Sequence, residues 1–166
     1  LDLPVDFDAL TKVGSMMGSG GMIVMDQDTC MVDIARYFVD FLKDESCGQC
    51  NPCREGIKQT LEILTRICDG DGKQGDIELL EELGSLIQKF SLCGLGTAAP
   101  NPVLTTIKYF RHEYDAHIND KKCTSGVCKN LFHYEIDDNA CTGCSLCAKK
   151  CPQDAISGEK KEPHQL

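Results

Sequence analysis

Cys47, Cys50 and Cys53 fall within seven consecutive residues, in the run Glu45-Ser-Cys-Gly-Gln-Cys-Asn-Pro-Cys-Arg-Glu-Gly56. No other feature constrains the fold as strongly, because three thiols so close in sequence must converge on one centre. A tetrahedral zinc site rarely draws three ligands from so short a run. A [4Fe–4S] cluster commonly does, and takes its fourth thiolate from elsewhere. The pattern recurs at Cys141, Cys144 and Cys147. Two such runs in one chain point to electron transfer through iron–sulfur clusters.

The remaining composition narrows the classes. A length of 166 residues allows one medium domain or two small ones. Twelve cysteines would suit a disulfide-rich secreted scaffold, but here they are clustered in triplets, and Leu1-Asp-Leu-Pro-Val is not a signal-peptide start. Cluster-ligating thiols must stay reduced, which predicts a cytoplasmic protein. A formal charge of −9 argues against nucleic-acid binding, which needs a basic face. No apolar stretch approaches the ~20 residues of a membrane span, so direct membrane insertion is not expected.

Hydrophobic spacing predicts a mainly α protein: a four-helix bundle holding one [4Fe–4S] cluster, followed by a small, truncated ferredoxin-like segment. Residues 1–27 read as the end of a preceding domain and its linker, with Gly18 to Gly21 a turn feeding a short buried strand at Met22 to Met25. Residues 28–119 form the bundle. Its first helix carries Cys30, Met31, Ile34, Tyr37, Phe38, Phe41 and Leu42 at three- and four-residue spacing, with Asp28 or Thr29 as N-cap. Ile57, Leu61, Leu64 and Ile67 mark the second helix, ended by Asp69 to Gly72. Ile77 through Phe90 mark the third, and Leu104, Ile107, Phe110 and Tyr114 the fourth, which begins after Pro100-Asn-Pro102. Residues 120–166 are polar and cysteine-rich, with too little apolar surface for a core of their own.

Cys53 opens the second helix, where free N–H groups and the helix dipole stabilise a negative cluster. Cys93, in the glycine-rich loop Ser91-Leu-Cys-Gly-Leu-Gly-Thr97, is the expected fourth ligand, because backbone there can approach inorganic sulfur closely. Arg54 and Lys58 either stabilise the reduced cluster or line a solvated helix face. Cys30 and Cys68 read as buried small apolar side chains, and His112 and His117 as exposed surface residues.

The run Glu45 to Gly56, together with Ser91-Leu-Cys-Gly-Leu-Gly-Thr-Ala-Ala-Pro-Asn-Pro102, resembles the flavin- and NADH-binding subunit of respiratory complex I. Matching subunits of NAD-linked formate dehydrogenases and iron-only hydrogenases share the family. The segment Gly18 to Phe38 is similar to the stretch joining that subunit's ubiquitin-like domain to its helical domain. The resemblance covers roughly residues 1–118. It implies that Cys47, Cys50, Cys53 and Cys93 hold a [4Fe–4S] cluster exchanging electrons with FMN. FMN and NAD(P) would both be bound by an upstream domain that nothing here matches. The chain is therefore expected to be a fragment that is not catalytic alone.

The second run, Cys141-Thr-Gly-Cys144-Ser-Leu-Cys147-Ala-Lys-Lys-Cys151-Pro152, is the bacterial ferredoxin pattern C-x2-C-x2-C-x3-C-P. In two-cluster ferredoxins Cys151 would serve the other cluster, which predicts a missing C-terminal half; the alternative is that Cys151 closes a single cluster. The segment would thus carry one or two clusters. An appended ferredoxin domain is similar to NAD(P)-reducing, often electron-bifurcating, iron-only hydrogenase subunits. That resemblance implies, as partners, a hydrogenase catalytic subunit and a small [2Fe–2S] subunit.

Cys123 and Cys128 are unassigned by either run. Their C-x4-C spacing supplies half of a zinc site, completed by His133, His164 or a spare cysteine. The alternatives are a disulfide, or plain thiols at the start of a strand through Phe132 to Ile136. Two other classes compete for the whole chain, a zinc- or cluster-braced interaction module and a thiol–disulfide oxidoreductase. Neither accounts for Cys93 in its glycine loop.

Overall fold

The computed structural model describes residues 2–132 and 134–165. They divide into two compact units, Leu1–Leu131 and Phe132–Leu166. Among the described residues the regular structure is helical, with a single isolated bridge between Ser157 and Gln165.

The first unit starts with a short helix, α1 (Phe7–Lys12), capped by the Asp6 carboxylate and burying no side chain. The four expected helices follow as α2 (Met31–Glu45), α3 (Asn51–Cys68), α4 (Asp76–Phe90) and α6 (Asn101–Asp115). They pack in a ring, α2 against α3 and α6, and α4 against α3 and α6. Their inward faces supply the core, including Val32, Val39, Leu64, Ile67, Leu80, Val103 and Tyr114. A fifth helix, α5 (Gly94–Ala98), is a single turn after Cys93 that the apolar spacing did not reveal.

Close approach decides one crossing. A Cβ added at Gly56 would stand 2.5 Å from Ile87 Cγ1, so α3 and α4 meet at a distance that only glycine permits.

The start of α2 departs from expectation. Its N-cap is Cys30 rather than Asp28 or Thr29. Those two residues instead bond the Asp26 carboxylate, through the Asp28 N–H at 3.1 Å and the Thr29 hydroxyl at 3.2 Å. The free Met31 N–H is taken by Glu113 Oε2 of α6 at 2.9 Å, so the cap comes from a neighbouring helix.

No strand forms at Met22–Met25, whose side chains are exposed, nor among the described residues of 132–136. A strand is held by ladder bonds to a partner, and neither segment has one among the described residues. The first compact unit also runs past the expected 119, because Leu131 is buried and its carbonyl accepts the Cys123 N–H at 2.8 Å.

The second unit contains one helix, α7 (Leu146–Lys150). No hydrophobic side chain of its described residues reaches the buried class. The Ser157–Gln165 bridge closes the segment, and the Lys161 N–H donates to the Gly143 carbonyl at 3.0 Å.

Candidate metal centres

All twelve cysteines are free thiols, which removes the disulfide reading for Cys123 and Cys128. They gather in three places.

The first is at the junction of α2, α3 and α5. Cys50 is the N-cap of α3, Cys53 lies in its first turn, and Cys93 is the N-cap of α5. Gly96 of α5 packs on this turn, since a Cβ there would stand 3.3 Å from Cys53 Cβ. The Leu92 backbone N–H is the chief influence holding the Cys50 thiol below its ordinary pKa. The Cys53 N–H acts the same way, against desolvation. The loop carrying Cys93 therefore closes over Cys50 and Cys53. Cys53 is buried, Cys50 half-buried, and Cys47 and Cys93 are exposed.

Arg54 turns back onto the cysteine loop, donating to the Gly48 carbonyl at 2.9 Å and to Asn51 Oδ1 at 2.5 Å. It braces the loop. Lys58 instead pairs with Glu55 at 3.7 Å on the solvated side.

The second place corrects the reading of two residues. Cys30, His117, Cys123 and Cys128 are all buried, and their ligand atoms lie within 4.8 Å of one another. Cys30 Sγ is 3.3 Å from His117 Nε2 and 3.9 Å from Cys128 Sγ. His117, expected at the surface, is fully buried, whereas His112 is exposed as expected. The cause is the end of α6, which widens into a π-helical turn at Ala116–Asp120 and carries His117 and Ile118 inward. A signal was present, since His117 follows the buried Tyr114 by three residues on one helical face. Cys30 is buried as predicted, but it faces ligating groups rather than hydrocarbon.

His117 Nδ1 donates to the Glu113 carbonyl at 2.7 Å, which leaves the Nε2 lone pair directed at the thiols. Orientation of this kind is characteristic of a metal-bound histidine. Hydrogen bonding to Cys128 and burial push the Cys30 thiol up. For Cys123 desolvation is the largest influence and acts upward. It is outweighed by the N–H groups of Cys128, Val127 and Ser125, so the thiol sits below its ordinary value. Cys68, also buried, is a neighbour of Cys128 outside the four. The Cys123–Cys128 pair is thus completed by Cys30 and His117. His133 lies outside the described residues. His164 belongs to the second unit, where it neighbours Cys141 and Glu162.

The third place is that second unit. Cys141 Sγ accepts the His164 N–H at 3.5 Å, and Cys151 Sγ the Ala155 N–H at 3.4 Å. The Leu146 N–H is the main cause of a lowered Cys144 pKa. Backbone donors aimed at sulfur suit thiolates that carry a negative cluster. His164 Nδ1 donates to the Glu162 carbonyl, and its buried Nε2 has no hydrogen-bond partner among the described residues.

Comparison with known proteins finds two iron–sulfur regions along the chain. Residues 33–117 match the NADH-ubiquinone oxidoreductase-F iron-sulfur binding region, and residues 134–157 match a 4Fe-4S binding domain. The NADP-reducing hydrogenase subunit HndC of Solidesulfovibrio fructosivorans is 51% identical over 99% of the chain. In Rhizobium meliloti, one of the NADH-quinone oxidoreductase subunits is 45% identical over 74% of the chain. A crystal structure of an NAD+-reducing [NiFe]-hydrogenase aligns with 58% of the chain and 17% of its own, at 33% identity and a TM-score of 0.55. The chain spans about a third of the length of these curated relatives, 34% and 29% respectively. No described helix is long and apolar enough to cross a membrane. With its helical bundle and its cysteine-rich second unit, the chain belongs to the NADH-ubiquinone oxidoreductase-F iron-sulfur binding region family and carries a 4Fe-4S binding domain besides.

Proposed function

We propose that this chain is the electron-relay part of an NAD(P)-linked iron-only hydrogenase subunit. Cys47, Cys50, Cys53 and Cys93 hold one [4Fe–4S] cluster in the bundle. Cys141, Cys144 and Cys147 hold another, with Cys151 closing it or serving a further cluster. The observation that carries this reading is the closure of the Cys93 loop on the α3 turn, with Gly96 packed against Cys53 and Ser91. The residues fit a cluster: the first thiol set sits at the N-terminus of α3, and a buried serine hydroxyl beside it has no hydrogen-bond partner among the described residues.

Such a cluster supplies reversible one-electron storage. The protein's part is to hold and tune it. The start of α3 presents unpaired N–H groups and the positive end of the helix dipole to the thiolates. The burial of Cys53 excludes water from one side, and Arg54 fixes the loop through the Gly48 carbonyl. Flavin and nicotinamide are bound by another part of the parent protein, and its partners are the remaining subunits of a multi-subunit oxidoreductase. The match to HndC over nearly the full chain favours a hydrogenase parent over a formate dehydrogenase or complex I. Reduced thiols suit the cytoplasm.

Anaerobic purification tests the reading. A brown protein with iron and acid-labile sulfide, bleached by dithionite with a reduced-cluster EPR signal, is expected. A colourless protein holding only zinc would overturn it.

The buried Cys30–His117–Cys123–Cys128 set favours a second bound metal. Three thiols and one imidazole, closed from solvent, form the donor set of a structural zinc site. It would join the start of α2 to the loop after α6 and has no part in redox chemistry. One zinc per chain, lost in His117→Ala while iron is retained, is the expected result.

A further inference from the structure

Two serine side chains approach the first thiol set, one from the end of α2 and one from the end of α4. Ser46, at the end of α2, has its Oγ 3.4 Å from Cys53 Sγ. That oxygen already accepts the Gly48 N–H at 3.3 Å. Its own proton therefore remains free. A cysteine sulfur bound to iron has no proton to give, so the hydroxyl must be the donor in this pair. Cys53 is only 4% exposed, and little water competes for its sulfur.

Ser91 closes the other side, at the end of α4. Its Oγ is buried and has no hydrogen-bond partner among the described residues. A buried hydroxyl left unpaired is unfavourable, so such an atom calls for an acceptor. Ser91 lies beside the turn that carries Cys50 and Cys53, since a Cβ added at Gly96 would be in close contact with both Ser91 and Cys53 Cβ. Gly96 keeps the hydroxyl in place, because a Cβ there would stand 2.6 Å from Ser91 Oγ.

We infer that Ser46 and Ser91 are positioning residues for the first cluster, Ser46 donating its O–H to Cys53 Sγ and Ser91 donating to the thiolates and sulfide held at the same turn, and so raising its reduction potential. The inference rests on the cluster assignment above. One-electron reduction adds a negative charge to the cluster and its thiolates. Donors to the sulfurs stabilise that added charge more than the oxidised form. The effect depends on hydroxyl protons, and serine is the smallest side chain that supplies one.

The test is a mediated redox titration of the anaerobic, cluster-loaded chain, followed by EPR of the first cluster. Ser46→Ala and Ser91→Ala are each expected to shift the one-electron equilibrium about tenfold toward the oxidised form, a fall of about 59 mV. The ferredoxin-type signal in the same sample should not move. Ser46→Thr, which keeps the hydroxyl, should restore both the potential and any iron lost in Ser46→Ala. Gly96→Ala, which displaces Ser91, should behave like Ser91→Ala. Full iron content with unmoved potentials overturns the inference, as does failure of Ser46→Thr to restore them. Absence of a cluster from the unmodified chain would instead overturn the function proposed above.

Discussion

The two compact units are rich in the same residue, yet they are held together differently. In the first, helices bury Leu64, Ile67, Leu80, Val103 and Tyr114 around one core, and the thiol sets sit on a scaffold already determined by burial. In the second, the described residues bury Gly143 and His164 but no hydrophobic side chain, and α7 buries nothing. Its order comes from backbone hydrogen bonds and N–H groups turned onto sulfur. Hydrophobic burial is the main term that offsets chain entropy. A unit without it must gain the difference from bound metal.

The largest expected effect exposes that contrast directly. Chelating iron from the anaerobic chain should leave most bundle helicity intact, while amide protection between 134 and 165 collapses. Circular dichroism and hydrogen exchange read the two responses. Equal protection of both units after iron removal would break the comparison.

Next in size is the metal set inside the bundle. His117→Ala should weaken zinc by more than about 100-fold, beyond the loss typical of a mere supporting residue. It should also loosen the loop between Cys123 and Leu131 and leave iron binding at Cys47–Cys53 unchanged. Metal analysis with exchange measurements on that loop checks it. Retention of zinc would remove His117 from the ligand set.

Smaller effects belong to the core itself. Gly56→Ala should destabilise the bundle by about 1–3 kcal/mol, because the added methyl collides with Ile87. Denaturant titration measures it. A neutral result would mean that α3 and α4 separate freely.

The ion pair of Arg66 with Asp76 gives a pH signature. Asp76 is buried; desolvation raises its pKa, but Arg66 and the Lys73 N–H outweigh that and hold it below the usual carboxylate value. A depressed folded-state pKa contributes stability above the unfolded value near 3.9 and loses it as pH falls through the folded one. Asp76→Asn should therefore cost about 1–3 kcal/mol at neutral pH, with the gap to the unmodified chain closing in strong acid. A gap that widens on acidification would sink this account.

Much of this was legible in the sequence for physical reasons. The three-and-four spacing of Leu61, Leu64 and Ile67, or Ile77, Leu80 and Ile87, reports the same burial that makes the helices stable. Cys93 stood out as a candidate ligand because its glycine-rich loop allows close backbone approach, and the structure sets that loop against the Cys53 turn. The N-cap of α2 was not, because Glu113 supplies it from 82 residues away. The strand expected at Met22–Met25 failed because local propensity has no effect without a pairing edge.

The sequence by itself determined the four bundle helices and the two thiol runs, since each is written in short-range spacing, and its resemblance at Glu45–Gly56 and Ser91–Pro102 pointed to the family. Only the tertiary structure decided that Cys30 belongs with His117 and Cys128, 87 and 98 residues distant. It did so because packing α2 against α6, with a π-helical turn at the end, brings together donors whose spacing along the chain carries no metal-site pattern.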